Sequence, residues 1–152
     1  MGFPSADASR AQRLSRLDRF ASMTPTLVRE VVTAGDLLRV RSGEVLIQQD
    51  ERSAGAYVVI SGELSVARNG QDVGVMCAGD LIGEIGVVVS PLRTSTVVAL
   101  TECELIHLPE EIARGLYDEH PAFRNALWGT AQERLMRDLH SELVPHPSNP
   151  PD

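Results

Sequence analysis

The hydrophobic residues of this chain follow a helical period at both ends and a strand period in the middle. Up to residue 35 and beyond residue 109, apolar residues recur three or four positions apart, which is the spacing of one helix face. Between these regions, apolar and polar residues alternate over short runs, as they do in half-buried strands. The pattern therefore predicts a β domain with helices on either side of it.

Two helices are predicted near the N-terminus. Ser9 and Gln12 resemble a capping box for the first, and its apolar residues are Leu14, Leu17, Phe20 and Ala21. The second is predicted to have Thr24 as N-cap and Pro25 at its first position, and to end at Gly35. The arginines of the first helix are expected to form a solvated face, with a partner-docking surface as the alternative: Arg10, Arg13, Arg16 and Arg19.

Seven short runs between residues 37 and 108 have the composition of strands. They are residues 37–41, 44–48, 57–60, 64–68, 73–76, 96–100 and 103–108. Asn69-Gly70 is a strong two-residue hairpin signal. Short strands at a spacing of roughly 8–12 residues are typical of a sandwich or barrel.

Two helices are predicted to close the domain, from about Glu110 to Tyr117 and from His120-Pro121 onward. The second has an apolar stripe of Phe123, Leu127, Ala131, Leu135, Leu139 and Leu143. We expect one domain over residues 9–143, with flexible tails at 1–8 and 144–152, where the second tail holds four of the nine prolines. No helix-turn-helix is expected after these helices.

Composition narrows the class of protein. At 152 residues the chain can bury a core without disulfides or metal. A net charge of -7 argues against a general nucleic-acid surface. The two cysteines, Cys77 and Cys103, favour a reducing compartment, and no stretch approaches the roughly 18 apolar residues of a membrane span. A cytoplasmic protein without membrane insertion is expected.

Residues 83–95 contain the chemistry of an anion site. Three glycines leave backbone amides open to a ligand: Gly79, Gly83 and Gly86. Arg93 adds a fork of donors that matches phosphate oxygens. Glu84 would repel a phosphate, but it suits hydroxyl donors such as those of a ribose. The combination predicts a small nucleotide.

The order of two helices, about eight strands and two helices resembles the cyclic nucleotide-binding domain family, which includes bacterial catabolite-activator-type sensors. The resemblance runs from about Leu14 to Leu143. Its most specific part is the phosphate-binding cassette, which this chain writes as Gly83-Glu84-Ile85-Gly86 followed by Arg93-Thr94-Ser95. The family implies a mainly β fold with flanking α: an eight-stranded double-stranded β-helix, or jelly roll, with N-terminal helices and two C-terminal helices.

The resemblance also implies roles for the cassette residues. Glu84 would accept the ribose 2′-hydroxyl, and Arg93 would pair with a phosphate oxygen. The amides of Gly83, Ile85 and Gly86 would meet the phosphate. The hydroxyls of Thr94 and Ser95 would lie beside the ligand, and Trp128 is either a lid over the base or a residue of the core or a dimer seam.

Several residues depart from the family pattern. Gly86 replaces the usual alanine, Val87-Val88-Val89 is a poor helix former, and Pro91 lies one position earlier than usual. Asp50 stands in place of a family glycine, which aspartate tolerates because it can adopt the left-handed conformation. None of these changes removes a binding group.

The expected function is a regulatory module, not an enzyme, that binds cAMP or cGMP, with cAMP favoured. Ligand binding would move the C-terminal helices and signal to a protein partner or a homodimer. A cupin-like metalloenzyme is disfavoured, because it would need several histidines with a glutamate and the strand region has one histidine, His107. The other histidines have no metal-ligand spacing, and no metal cofactor is expected. The alternative is a degenerate domain that serves as an interaction or dimerisation module.

Overall fold

Two four-stranded antiparallel sheets face each other in the part of the chain that the structure describes. A computed structural model describes residues 6–127 except 18–19, 53–54, 83–92 and 94. The first sheet has the strand order β1-β8-β3-β6, and the second has the order β2-β7-β4-β5. With helices before and after the strands, this architecture confirms the predicted jelly roll.

The helices and strands have the following bounds. The helices are α1 (Ala6–Ser15), α2 (Pro25–Ala34), α3 (Glu110–Glu119) and α4, which is described over 121–127. The strands are β1 (Asp36–Val40), β2 (Val45–Ile47), β3 (Ala56–Ser61), β4 (Leu64–Arg68), β5 (Gln71–Met76), β6 (Leu81–Ile82), β7 (Thr96–Ala99) and β8 (Cys103–Leu108). The seven predicted strands are confirmed to within two residues at each end. The two-residue strand β6 was missed because so short a run carries no period.

The period of two along β3 and β8 creates two separate cores. Val58 and Ile106 point toward the helices and belong to the cluster that also contains Phe20, Val28 and Leu116. Their neighbours along each strand point into the space between the sheets, where they form the second cluster with Val66 and Val97: Val59 and Leu105. Since both faces of the first sheet are covered, β3 and β8 read as continuous apolar runs.

The N-terminus of α2 follows the sequence prediction. Thr24 is the N-cap, and its hydroxyl oxygen accepts a hydrogen bond of 3.1 Å from the amide of Leu27, while Pro25 begins the helix. Gly35 follows α2 with an extended φ of -101°, so its role is not a left-handed cap. A Cβ at Gly35 would lie 2.4 Å from the carbonyl oxygen of His107. Glycine therefore lets α2 lie close against β8.

Two predictions for α1 are wrong. The helix begins at Ala6, so Ser9 lies inside it and is not an N-cap. The predicted solvated face also fails at Arg10, which is 9% exposed and donates a hydrogen bond of 2.7 Å to Glu104 on β8. The side chain of Arg10 points toward the sheet because a carboxylate 94 positions away compensates its burial.

Arginines from α1 and β1 surround the carboxylate of Glu104. Besides Arg10, the guanidinium nitrogens of Arg13 and Arg39 each lie 3.6 Å from its carboxylate. The hydrogen bond from Arg10 is the main reason that the pKa of Glu104 lies below its usual value, with burial opposing the shift and the three arginine charges adding to it. The ion pairs of Arg10 and Arg13 with Glu104 link α1 to the first sheet.

Two turn predictions are confirmed by the backbone. Asp50 has a φ of 71°, which is the left-handed conformation expected where the family has glycine. Asn69 and Gly70 have φ values of 52° and 81° and connect β4 to β5. Positive φ at both central residues is the signature of the predicted tight hairpin.

Replacement of Gly35 by alanine should destabilise the fold by about 1–3 kcal/mol, because the new methyl group overlaps the backbone of β8. The matched control is Gly115→Ala in α3, where a Cβ meets nothing within 4 Å. That change should stabilise the fold by about 0.5–1 kcal/mol. Urea unfolding of both variants measures the two effects, and equal stabilities would contradict the close approach of α2 to β8.

The link between α1 and β8 should depend on pH. Because the pKa of Glu104 is lowered in the folded state, its contribution is fully present above its unfolded value of about 4.3. That contribution is lost as the pH falls through the lower folded pKa. At pH 7 we expect Glu104→Gln to lower the free energy of unfolding by about 1–3 kcal/mol.

The difference between Glu104→Gln and the wild type should shrink as the pH is lowered below 4. The exposed neighbour Glu102 supplies the control variant, Glu102→Gln. Urea unfolding at pH 7, 5 and 3 checks the prediction. A constant difference between wild type and Glu104→Gln at all three values would be incompatible with it.

Candidate functional site

Tyr57 on β3 lies beside the residue that precedes the predicted cassette and beside Arg93 near its other end. Ile82, the residue before the cassette, is the register partner of Tyr57 where β6 pairs with β3. Arg93, near the other end, has its guanidinium carbon 5.8 Å from the centroid of the Tyr57 ring. The fold thus places the residue that precedes Gly83 and the predicted phosphate ligand against the same aromatic side chain.

Arg93 is held by its backbone as well as its side chain. Its amide donates to the carbonyl of Glu51 at 2.8 Å, and its carbonyl accepts from the amide of Asp50 at 2.9 Å. These bonds fix the end of the cassette to the turn after β2, where Asp50 has its left-handed backbone. The position of Arg93 is therefore set before any ligand contact.

The side chain of Arg93 is buried. It is 6% exposed, and its Nη2 donates a hydrogen bond of 2.8 Å to the carbonyl oxygen of Gly55. The position over the face of Tyr57 adds a cation–π attraction. A buried guanidinium with oriented donors is an arrangement that can bind an anion such as a phosphate.

Gly55 connects this arginine to the beginning of α3. Its φ is +116°, a conformation that favours glycine, and a Cβ there would lie 2.0 Å from the carbonyl oxygen of Leu108. The same Cβ would lie within 3 Å of the backbone of Pro109 and Glu110. The peptide that accepts from Arg93 is thus packed against the junction between β8 and α3.

His107 on β8 completes the aromatic side of the site. It is paired with Tyr57 across the sheet, and the two ring centroids are 4.8 Å apart. Burial raises the pKa of the Tyr57 hydroxyl, and the charge of Arg93 opposes that shift. The Tyr57 phenol is therefore neutral near pH 7, and it faces the positive charge of Arg93.

The structure describes only part of the predicted binding set. Arg93 and Ser95 are each 6% exposed and lie in the segment just before β7. Gly83, Glu84, Ile85, Gly86, Thr94 and Trp128 lie outside the described residues. The sequence did not reveal Tyr57 and Gly55 as partners of Arg93, because a strand tyrosine and a loop glycine are ordinary in any β protein.

Within the described residues, no helix is long and apolar enough to cross a membrane.

Comparison with known proteins gives consistent matches. The profile of the "Cyclic nucleotide-binding domain" family matches residues 37–120, which is more than half of the chain. Lysophospholipase nte1 of Neurospora crassa is 30% identical over 113 residues, which cover 71% of this chain and 8% of that protein. The cGMP-dependent protein kinase egl-4 of Caenorhabditis briggsae is 38% identical over 115 residues, covering 76% of this chain and 13% of that protein.

A solved structure extends the comparison to the fold. The regulatory subunit of a cAMP-independent protein kinase A from Trypanosoma brucei superimposes with a TM-score of 0.76 at 18% identity, covering 90% of this chain and 50% of that one. At such low identity the likeness concerns the fold alone. The chain spans 8% and 13% of the lengths of the two curated relatives named above, so it corresponds to one domain within much longer proteins. The matched profile and the jelly roll around Arg93 lead to one conclusion: this chain belongs to the cyclic nucleotide-binding domain family.

Proposed function

We propose that the protein is a regulatory module that binds a cyclic nucleotide, with cAMP favoured over cGMP, and that it has no catalytic activity of its own. The observation that carries this proposal is the buried guanidinium of Arg93, which is held over Tyr57, the register partner of Ile82 just before the cassette. A buried cation with fixed donors suits a phosphate diester, whose single negative charge it would neutralise.

The remaining contacts are assigned by the family resemblance. Glu84 accepts the ribose 2′-hydroxyl, and the amides of Gly83, Ile85 and Gly86 meet the phosphate. Thr94 and Ser95 contribute hydroxyls near the phosphate or base, and Trp128 is a possible lid. The name of the kinase egl-4 refers to cGMP, and that of the Trypanosoma brucei structure refers to independence from cAMP. The preferred base therefore has to be measured by titration with both nucleotides.

The path from Arg93 to α3 supports a role in signalling. A phosphate that draws the guanidinium toward itself competes with the carbonyl of Gly55 for the same donors. A Cβ at Gly55 would overlap Pro109 and the amide nitrogen of Glu110, the first residue of α3, so a shift of Gly55 would displace the beginning of that helix. The ligand would then favour one of two positions of the C-terminal helices and change a surface offered to a protein partner or second copy.

A second candidate function is a degenerate domain that serves for interaction or dimerisation. It is favoured by one observation, the hydrogen bond from Arg93 to Gly55, because that bond gives the arginine a structural use without any ligand. The two functions differ in whether Arg93 also contacts a nucleotide. Titration separates them.

Calorimetric titration of the purified protein should show saturable binding of cAMP, and weaker binding of cGMP, at one site per chain. AMP serves as the control ligand, because it has the same base and sugar but lacks the cyclic phosphate. The absence of heat with either cyclic nucleotide at millimolar concentration would rule out the regulatory proposal and leave the interaction module.

Arg93→Lys should weaken cAMP binding by about tenfold to several hundredfold, because lysine keeps the charge but loses the planar fork of donors. Glu84→Gln should weaken it by about tenfold through loss of a charge-assisted bond. Arg114→Lys on the exposed side of α3 is the matched control and should bind as the wild type does. Urea unfolding of each variant verifies the fold, and unchanged affinity in folded Arg93→Lys would remove the phosphate role.

A further inference from the structure

A second group of chemically active side chains lies on the helical side of the domain. Glu30 on α2, Glu119 at the end of α3 and His120 between α3 and α4 each offer one ligand atom, and these atoms all lie within 4.8 Å of one another. Among the described residues, these three side chains lie closely enough to share a cation. Arg93 and the predicted cassette are not part of it.

The kinds of donor match those of a transition-metal site. Imidazole nitrogen and carboxylate oxygen are ordinary ligands of Zn²⁺, and two glutamates with one histidine form a three-ligand set that leaves one position for water. Two carboxylates with a neutral imidazole carry two negative charges, which suits a divalent cation. An imidazole in the group favours zinc or a similar metal over calcium or magnesium, which prefer oxygen ligands alone.

The distance between two of the three ligand atoms also matches. His120 Nε2 lies 3.2 Å from an oxygen of Glu30. In a tetrahedral zinc site with bonds of about 2.0–2.1 Å, neighbouring ligand atoms are roughly 3.3–3.4 Å apart. The two atoms could therefore share a metal with little movement. The side chains of His120 and Glu30 are 30% and 45% exposed, so an ion can enter from solvent.

The backbone around the group is well fixed. The amide of His120 donates to the carbonyl of Leu116, and its carbonyl accepts from the amide of Arg124, each at 3.0 Å. Glu30 lies on a helix whose opposite face is buried through Val28, Val31 and Val32. The donors are thus supplied by helices that are anchored independently in the core, which lowers the ordering cost of binding.

We propose that Glu30, Glu119 and His120 form a binding site for Zn²⁺ or a similar divalent transition metal. A bound ion would link α2 to the junction between α3 and α4. Binding of the metal does not depend on the proposed nucleotide function. An effect of the metal on nucleotide affinity rests on that function, because it requires α3 and α4 to move when nucleotide binds.

The test is calorimetric titration with ZnCl₂ without nucleotide. The background variant is Cys77→Ser, because an exposed thiolate would itself attract zinc. One ion per chain should bind with a dissociation constant in the micromolar range or below. Zinc should also raise the thermal midpoint of unfolding, because it binds the folded state.

The variants His120→Gln and Glu119→Gln should each weaken zinc binding by at least about tenfold. Glu111→Gln, at an exposed position of α3 outside the group, is the matched control and should bind as the background does. Absence of binding to the background protein would overturn the proposal and leave Glu30 and His120 as an ion pair only. Binding that survives both variants would overturn it too, because the ion would then lie elsewhere.

Discussion

The burial of Arg93 is the constraint on which the candidate site depends. A guanidinium cannot leave water without partners, since the penalty for an uncompensated buried charge is several kcal/mol. Here the carbonyl of Gly55 and the face of Tyr57 are among its compensating contacts. Each requires a particular backbone: a left-handed glycine at 55 and a strand residue that faces the interior at 57. The position of Arg93 is therefore tied to the backbone at Gly55 and to the orientation of Tyr57.

The two faces of the first sheet serve different parts of the fold. Its inner face carries Tyr57 and His107, and its outer face is covered by helices. Gly55, which accepts from Arg93, lies just before β3 and next to the end of β8, where the chain enters α3. Contact from the site to the helices is made by backbone atoms, which cannot adapt by changing rotamer. Such a contact transmits displacement better than a flexible side chain would.

The sequence predicted those features that depend on local periodicity or turn chemistry. The apolar runs of β3 and β8, the N-cap at Thr24 and the hairpin at Asn69 all follow from neighbouring residues, and all are confirmed. Some failures are local, since Ser9 lies inside α1 and is not its N-cap. The others involve distant elements. Arg10 pairs with a carboxylate 94 positions away, and Glu30 meets His120 only because α2 packs near the end of α3. Such contacts between distant elements leave no period or spacing in one sequence.

The helix α3 is the element at which the two proposals meet. Its first residue, Glu110, lies next to Gly55, which accepts from Arg93, and its last residue belongs to the group that contains Glu30 and His120. Ten helical residues span about 15 Å, so these contacts act on opposite ends of one short rigid body. A phosphate that alters the first contact would rotate α3 only if the second allows it. A metal at the far end would oppose that rotation, so by linkage any weakening of nucleotide binding by the metal would be matched by an equal weakening of metal binding by the nucleotide.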